Sequence, residues 1–174
     1  SERGCYGLRA GDPIYGFGHH QLPSVGCAGL GAIVTMPSMG PVQYDRAEYR
    51  SPAANEVARP GYYAVRLTRF GIRAEMSATM RTGISRYSFP GANAHILLDL
   101  GARVNGFGYQ HSDSYCRKVS DVEVEGWVVD GNFAKSETYY KVFFVLRVTA
   151  HQTRVRLWRD AEMLLAGTDS VCAP

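Results

Sequence analysis

The sequence lacks the long apolar runs and the clustered basic residues that mark membrane-spanning proteins and nucleic-acid-binding proteins. No apolar stretch approaches the ~20 residues that a membrane-spanning helix needs. The 19 Lys and Arg residues are scattered and the formal net charge is only +3, whereas a nucleic-acid-binding face is usually concentrated and strongly basic. We therefore expect neither a membrane span nor a nucleic-acid partner.

Closely spaced cysteines are also absent from the sequence. Cys5, Cys27, Cys116 and Cys172 lie far apart and form no C-x-x-C pair, which argues against a zinc ribbon. Four cysteines allow three disulfide pairings, among which the sequence does not choose. An extracellular chain with one or two bridges and a cytosolic chain with four thiols are both compatible with this count.

Segments in which apolar and polar residues alternate recur along the chain and predict β-strands, because successive side chains of a strand point to opposite faces. The clearest are 61–68 and 72–79, which are joined at residues 69–71 and predict a β-hairpin. Residues 94–100 are apolar at consecutive positions, as in a strand that is covered on both faces, and residues 139–149 form a long predicted strand that is apolar on both faces. The remaining predicted strands are 30–36, 84–89, 121–129, 153–158 and 163–166.

This pattern of strands predicts the fold class. Eight or so strands at spacings of roughly 10 to 20 residues indicate an all-β, antiparallel β-sandwich. The proline-punctuated residues 37–60 predict a long connection, and a short helix competes with a strand only around residues 159–165. Because a chain of 174 residues can bury one substantial core, residues 1–174 are predicted to form a single domain.

Residues 14–27 place aromatic and imidazole rings, glycines and a cysteine in a segment with neither helical nor strand periodicity. Rings on a pinned loop would suit a sugar pocket or a metal site, but composition alone favours an ordinary buried turn with solvated histidines. His19 and His20 are adjacent, so in an extended segment they point to opposite sides and do not easily bind one metal together. We therefore predict no metal ligands in this chain.

Two groups of carboxylates in the sequence are candidates for acid–base chemistry. Glu123 and Glu125 lie two residues apart on a predicted strand and share a face, with Asp121 alongside, and glycosidases need two carboxylates that flank the scissile bond. The interleaved valines favour a half-buried strand with a solvated acidic face instead. Asp99 lies in the apolar run 97–100, where a structural hydrogen bond is its expected role, because a buried carboxylate must be paired. We predict no catalytic residue in this chain.

Several motifs follow one another in a fixed order between residues 4 and 100. They are Gly16-Phe17, His19, Leu22, Gly26-Cys27, 33–37, Pro60-Gly61-Tyr62-Tyr63-Ala64-Val65, Phe70-Gly71-Ile72-Arg73-Ala74-Glu75, Ala78-Thr79, Arg81, Gly83, Arg86-Tyr87-Ser88-Phe89-Pro90 and Ala92-Asn93-Ala94-His95-Ile96-Leu97-Leu98-Asp99-Leu100. In this order they resemble the family-92 glycoside hydrolases, the calcium-dependent, exo-acting α-mannosidases. An ordered set of motifs is far more specific than any one motif alone.

The resemblance implies that the chain is much of the N-terminal β-sandwich domain, of supersandwich-like fold, of such an enzyme. In the family this domain packs on a C-terminal helical (α/α)6 barrel, which this chain does not contain, and the sugar pocket lies at their junction. The resemblance implies a fragment of an inverting two-domain α-mannosidase, whose catalytic carboxylates and most calcium ligands come from the barrel. It also implies a mannose-containing glycan substrate, α-1,2-linked or phosphate-capped, and a secreted, extracellular or periplasmic location.

The substrate-binding residues that the resemblance implies lie in the opening stretch. His19, His20 and Gln21 are expected to hydrogen-bond the sugar, Phe17 to form an apolar wall and Cys27 to pack behind them. In this reading the chain alone is inactive, because the acid and the base are supplied by the barrel.

The opening loop is also the part that departs most from the family pattern. Gly18 replaces a serine, His20 a threonine and Gln21 a second histidine, which leaves the linkage preference open. Two alternatives from other classes remain. One is a non-catalytic carbohydrate-binding or adhesion β-sandwich, and the other is an interaction domain without sugar affinity.

Overall fold

The computed structural model describes residues 12–19, 33–100, 113–131, 137–150, 153–159, 162–163 and 170–173. Their regular structure is almost all β, in antiparallel sheets, with one helix of four residues. The prediction of an all-β, antiparallel fold is confirmed. Within these ranges no helix is long and apolar enough to cross a membrane.

The described elements follow one another along the chain as twelve strands and a single helical turn. They are β1 (Val34–Met39), α1 (Arg46–Tyr49), β2 (Ala53–Arg59), β3 (Tyr62–Leu67), β4 (Ile72–Ala78), β5 (Gly83–Ser88), β6 (Ala94–Asp99), β7 (Asp113–Ser120), β8 (Glu123–Gly131), β9 (Tyr139–Arg147), β10 (Trp158–Arg159), β11 (Glu162–Met163) and β12 (Ser170–Ala173).

The first sheet is a meander in the order β2-β3-β4-β5. The predicted hairpin is present as β3 and β4, with Val65 opposite Ala74. Its turn includes Gly71, whose φ of +66° lies in the left-handed region that glycine adopts without strain. Because the strands are joined by short turns, the alternating pattern of this stretch alone was enough to predict their pairing.

A two-stranded antiparallel ribbon of β1 and β6 lies with the first sheet around one apolar cluster. Fully burying an aliphatic side chain contributes about 1.5 to 3 kcal/mol, so this cluster is the main source of stability in this part of the fold. The buried members are Ile14, Phe17, Met36, Tyr49, Val65, Leu67, Ile72, Ala74 and Leu97.

The second sheet has the order β12-β7-β8-β9. Burial alternates along β8, where Val124 and Val128 are buried and the intervening Glu125 is partly exposed. Cys116 on β7 is a buried free thiol. The remaining pair, β10 with β11, is short, and Trp158 of β10 packs against the cluster of the first sheet.

The prediction of a long connection over residues 37–60 is wrong. This range contains α1, which begins where the Asp45 side chain accepts a hydrogen bond from Ala47 N at 2.8 Å, and the edge strand β2. Strand β1 also continues through Pro37 to Met39. The Thr35 N–H donates to Phe17 O, on the edge of β1 that faces away from β6. The nitrogen of Pro37, two residues later, points to the same edge, because backbone groups alternate along a strand. Its missing N–H therefore removes no hydrogen bond to β6.

The second half of the chain differs from the sequence analysis in several places. Strand β7 was not predicted, and residues 153–157 are not in a strand. Around residues 159–165, where a short helix competed with a strand, the described part forms the β10–β11 pair. Residues 94–100 are also not covered on both faces, because Ile96 is 37% exposed.

Candidate functional site

The beginning of the opening stretch is held against the sheets by two backbone bridges. Ile14 N donates to Ser51 O at 2.8 Å, and Ser51 N donates back to Ile14 O at 3.0 Å. Phe17 and Thr35 exchange the same pair of bonds at 2.8 and 2.9 Å. Between the bridges, a Cβ at Gly16 would overlap a side chain of β1, so this close approach requires glycine.

Phe17 is packed into the apolar cluster, at 8% exposure, beside a tyrosine of β5. The Phe17 and Tyr87 ring centroids are 6.2 Å apart. The Tyr87 hydroxyl lies 2.9 Å from Thr35 Oγ1, which in turn donates to Phe17 O at 3.3 Å. Burial raises the pKa of Tyr87, so its phenol stays protonated at neutral pH. The role of Phe17 as a wall for sugar stays a prediction.

His19 is exposed, and β5 fixes the position of its ring. Its Nε2 lies 3.1 Å from Ser85 Oγ, and the ring covers Gly83, where a Cβ would overlap it. Residues 83 and 85 lie on the same face of β5, because side chains alternate along a strand. His19 is therefore oriented by this chain while it stays open to a ligand.

His20, Gln21 and Cys27 lie outside the described residues, so their predicted roles in substrate binding stay predictions. The structure brings Phe17 and His19 to β1 and β5, where they meet Thr35, Ser85 and Tyr87. Sequence analysis did not single out these three. Tyr87 falls within the motif of residues 86–90 and Thr35 within that of residues 33–37, but Ser85 lies outside the motifs and looks like an ordinary polar position on a strand.

The acidic residues of β8 form cross-strand ion pairs. Glu125 Oε1 accepts from Arg117 Nε at 3.1 Å, and Glu123 Oε2 accepts from Arg147 Nε at 2.6 Å. Asp121 pairs at 2.6 Å with the lysine three residues before it, which lowers the pKa of Asp121. Glu123 and Glu125 share the less buried face of β8, as predicted, but this face is only partly solvated, because their side chains are 18% and 38% exposed.

Asp99 has the structural role that its apolar surroundings predicted. Its Oδ2 accepts from Arg46 Nη2 at 3.2 Å, from Arg46 Nε at 3.3 Å and from the Tyr49 hydroxyl at 3.1 Å. Burial, together with the charge of Asp99, raises the pKa of Tyr49, which keeps this phenol a donor. The three residues tie α1 to the end of β6.

A second charged group, on the first sheet, was not singled out from the sequence. The Glu75 carboxylate accepts from Arg86 Nε at 2.8 Å and from the Tyr62 hydroxyl at 2.7 Å, with Arg73 Nη2 at 3.6 Å. Its side chain is 11% exposed. The hydrogen bonds from Arg86 and Tyr62 lower the pKa of Glu75 to about 2, so it is an ionised structural group at neutral pH.

The described side chains do not provide a metal centre. Across the described ranges, no three His, Cys, Asp or Glu residues are grouped so that they could hold an ion. Calcium prefers six to eight oxygen ligands, and the carboxylates of Glu75, Asp99, Glu123 and Glu125 are each engaged by the donors described above. The resemblance implied that most calcium ligands lie outside this chain, and the calcium requirement stays a prediction.

The fold and the site together define an antiparallel β domain that presents a positioned histidine but no pair of catalytic carboxylates among its described residues. The particular family follows from comparison with known families. The family model described as the glycosyl hydrolase family 92 N-terminal domain matches residues 3–171. This match covers almost the whole chain, so the chain belongs to this family.

Solved structures agree with this assignment of the fold. The chain is similar to a family GH92 α-mannosidase from Bacteroides thetaiotaomicron, with 22% identity and a TM-score of 0.74, covering 85% of this chain and 21% of that one. A complex of that enzyme with mannoimidazole gives 22% identity and a TM-score of 0.73, with the same coverage. The chain thus spans about a fifth of these structures. No curated protein matches it.

Proposed function

We propose that this chain is the N-terminal domain of an α-mannosidase that acts on mannose-containing glycans, and that it contributes binding residues to the sugar pocket. The observation that carries this proposal is the match of residues 3–171 to the N-terminal domain of glycosyl hydrolase family 92. His19 supports it from the structure, because an exposed imidazole held by Ser85 is suited to hydrogen-bond a sugar hydroxyl.

The chemistry of the proposed reaction assigns the catalytic step to another part of the protein. Inverting hydrolysis needs one carboxylic acid that protonates the leaving oxygen and one carboxylate that activates water, with the two groups roughly 6.5 to 9.5 Å apart. In the described ranges, Glu75, Asp99, Glu123 and Glu125 are all engaged by arginine or tyrosine donors. We therefore propose that a C-terminal helical domain supplies both carboxylates.

The same reasoning applies to calcium. Because the described side chains form no ion-binding group, we propose that calcium ligands belong mainly to the helical domain. A secreted, extracellular or periplasmic enzyme is the location we propose, since glycans of this class are met outside the cytoplasm. The preferred linkage, α-1,2 or phosphate-capped, depends on the loop that contains His20 and Gln21.

The test compares the chain alone with the same chain joined to a C-terminal helical domain. Both are assayed with an aryl α-mannoside and α-1,2-mannobiose, before and after treatment with a chelator. We expect release of mannose from the joined form only, and loss of this activity with the chelator. Turnover by the chain alone that disappears in Glu123→Gln would contradict the proposal, and would make the chain a small glycosidase in its own right.

One observation favours the alternative of a non-catalytic carbohydrate-binding module. Tyr115, Trp127 and Phe143 lie opposite one another on neighbouring strands of the second sheet, on its less buried face. The Tyr115 and Trp127 rings are stacked with centroids 6.0 Å apart, and Phe143 is 72% exposed. Tyr115 and Trp127 are half-buried and Lys141 lies over the Trp127 ring, so the exposed Phe143 is the ring of this row on which a sugar ring would stack. Sugar affinity of the chain alone that is lost in Phe143→Ala would support this alternative.

A further inference from the structure

The strands of the first sheet bring four arginines together on the face that points away from the apolar cluster. Val65, Leu67, Ile72 and Ala74 point into the cluster, so the residues that alternate with them point to the opposite face. We call this opposite face the arginine face. Its charged members are Arg59 on β2, Arg66 on β3, Arg73 and Glu75 on β4, and Arg86 on β5.

The arginine face concentrates the positive charge of the chain. Four arginines and a single carboxylate give it a net charge of +3, which equals the formal net charge of the whole chain. The side chains of Arg73 and Arg86 are 52% and 75% exposed, and Arg59 and Arg66 are exposed as well. The four arginines lie far apart in the sequence, so it is the pairing of the strands that brings this charge to one place.

Two of these arginines lie directly opposite each other on neighbouring strands. Arg66 of β3 is paired in register with Arg73 of β4. Directly opposite side chains have Cβ atoms about 5 Å apart, and like charges in such a pair are destabilising. Glu75 does not compensate both charges, because its carboxylate already accepts from Arg86 Nε at 2.8 Å and from the Tyr62 hydroxyl at 2.7 Å. An anion between the two guanidinium groups would remove this repulsion.

Both arginines of this pair keep donors for such an anion. Arg66 makes no hydrogen bond or ion pair within the described chain. Among the described contacts Arg73 uses only its Nη2 group, which lies 3.4 Å from the Tyr62 hydroxyl and 3.6 Å from Glu75 Oε1. A guanidinium has five N–H donors in a planar fork, which matches the oxygen atoms of phosphate and carboxylate groups. The pair therefore offers two sets of donors to one oxyanion.

A third arginine extends the pair into a row. Arg86 of β5 lies opposite Glu75, two residues along β4 from Arg73, so Arg73 and Arg86 are diagonal neighbours at about 7 to 8 Å. Glu75 engages the Nε and Nη2 groups of Arg86, while Nη1 has no partner in the described chain. The row crosses three strands on an exposed surface. A single small anion would stay mostly hydrated there, whereas several anionic groups on one polymer bind together and gain avidity.

The other side chains of the arginine face disfavour two classes of polyanion. Its aromatic ring, Tyr62, is covered by Arg59 at 4.7 Å from the ring centroid, so it is closed to the base stacking that single-stranded nucleic acids use. Its exposed apolar side chains, Val57 and Ile84, lie on the two outer strands, three strand spacings or about 14 Å apart. They form no joint apolar patch that could enter a membrane. A hydrated polysaccharide needs neither feature.

We propose that the arginine face binds a polysaccharide that carries phosphate or sulfate esters, with one ester group between Arg66 and Arg73 and a second near Arg86. The choice of a polysaccharide rests on the proposed function, in which the protein acts on glycans, whereas the preference for an oxyanion rests on the arginines alone. The face lies away from the site around His19, because His19 contacts Ser85, whose side chain points to the opposite face of β5 from that of Arg86. The arginine face would hold a glycan without cleaving it.

The test measures binding of the chain to polymers by isothermal titration calorimetry. The probes are dextran sulfate, dextran phosphate and neutral dextran of the same length. A single-stranded oligonucleotide and vesicles of phosphatidylserine and phosphatidylcholine represent the other classes of polyanion. We expect both charged dextrans to bind, more weakly as the salt concentration rises, and neutral dextran not to bind. The chain joined to a C-terminal helical domain should bind the charged dextrans with the same affinity.

Two variants and a matched control make the test specific to the arginine face. Arg66→Gln and Arg73→Gln should each weaken binding of the charged dextrans about three- to tenfold. Arg66→Gln should also leave the melting temperature unchanged or raise it, because it removes the like-charge pair. Arg156→Gln removes the same charge at an exposed position outside this sheet and should change the affinity by less than about twofold.

Several results would overturn the proposal. They are the absence of binding to both charged dextrans, equal binding of neutral dextran, tighter binding of the oligonucleotide or the vesicles, and equal losses of affinity in Arg66→Gln and Arg156→Gln. Binding that the joined form lacks would also do so, because it would mean that the helical domain covers this face. Release of mannose by the joined form is a separate measurement, so a failure of this inference and a failure of the proposed function are distinguishable.

Discussion

The two four-stranded sheets use similar apolar residues in different ways. In the first sheet, valine, leucine and isoleucine side chains meet those of β1, β6 and residues 14–17 in one closed cluster. In the second sheet, Val128 is buried, but Phe143 and Val145, on the other face, are mostly exposed. The residue type alone therefore does not tell what a side chain contributes, because its contribution depends on what covers it.

The less buried face of the second sheet is held together by pairs across its strands instead of by a core. Glu125 is paired with Arg117, and Lys141 Nζ lies 3.6 Å from the centroid of the Trp127 ring. Exposed ion pairs contribute about 0 to 1 kcal/mol each, and exposed cation–π contacts about 0.5 to 1 kcal/mol. We expect substitutions to be costly in the first sheet and mild on this face.

The largest effect is expected from a matched pair of valines. Val65→Ala, in the closed cluster, should lower the free energy of unfolding by about 2 to 3 kcal/mol, because it loses buried methyl groups and leaves a cavity. Val145→Ala, on the exposed face, should change it by less than about 0.5 kcal/mol. Urea denaturation of both variants measures this difference. Equal losses would mean that the second sheet is covered in solution.

A glycine substitution in the second sheet tests whether a substitution there can also be costly. A Cβ at Gly126 in β8 would overlap the backbone carbonyl of Tyr115, which the β7–β8 pairing holds in place. Gly126→Ala should therefore cost about 1 to 3 kcal/mol, because Gly126 lies on the buried face of β8, where the Phe144 ring also comes within 3.0 Å of the new Cβ. Gly91→Ala is the control, because only the flexible end of Met39 comes near, at 3.4 Å. A thermal melt that does not separate the two variants would contradict this.

Substitution at Gly83 should instead affect function. The group that a new Cβ meets is the exposed His19 ring, which can move away, so the stability should change little. In the complete enzyme, Gly83→Ala and His19→Ala should each lower kcat/KM about two- to tenfold, as expected for one lost hydrogen bond to sugar. Gln21→Ala tests the loop in the same way. Unchanged kinetics in all three variants would mean that the loop is structural.

The smallest effect concerns pH. The pKa of Glu75 is lowered from its ordinary 4.5 to about 2, so the carboxylate stabilises the fold above pH 4.5 and loses this contribution as the pH falls toward 2. Replacing its strongest donor, in Arg86→Gln, should raise the pKa of Glu75. Carbon-13 titration of the carboxyl group measures this shift directly. A midpoint near 4.5 in the unmodified chain would refute the assignment.

The sequence predicted those strands whose environment has two clearly different sides. Burial alternates along β8 and over residues 65–67 and 72–74 of the β3–β4 hairpin, and the sequence alternates in the same way over residues 65–67, 72–74 and 123–125. Strand β2 was missed because most of it is exposed at a sheet edge, so no alternation was required of it. Strand β7 was missed because its buried positions carry Ser114 and Cys116, which are small and only weakly apolar.

The candidate site was predictable only in part, for a related reason. Phe17 and His19 stand out in the chain because of the glycines around them and the motifs that they belong to. The strands bring Ser85 next to His19, which is 66 positions away in the sequence, and Thr35 next to Phe17, which is 18 positions away. These contacts give Ser85 and Thr35 their roles. Such long-range proximity depends on sheet register, which local patterns of polar residues do not encode.

Cys116 gives the second sheet a chemical reporter of its own opening. Burial raises the pKa of this thiol to about 11, so at neutral pH very little of it is the reactive thiolate, and β8 and β12 flank it. A thiol reagent reaches Cys116 only when these strands separate, so its labelling rate, read by peptide mass mapping, measures how often they do. The labelling rate of Cys116 thus reports the local opening of this sheet in the native protein.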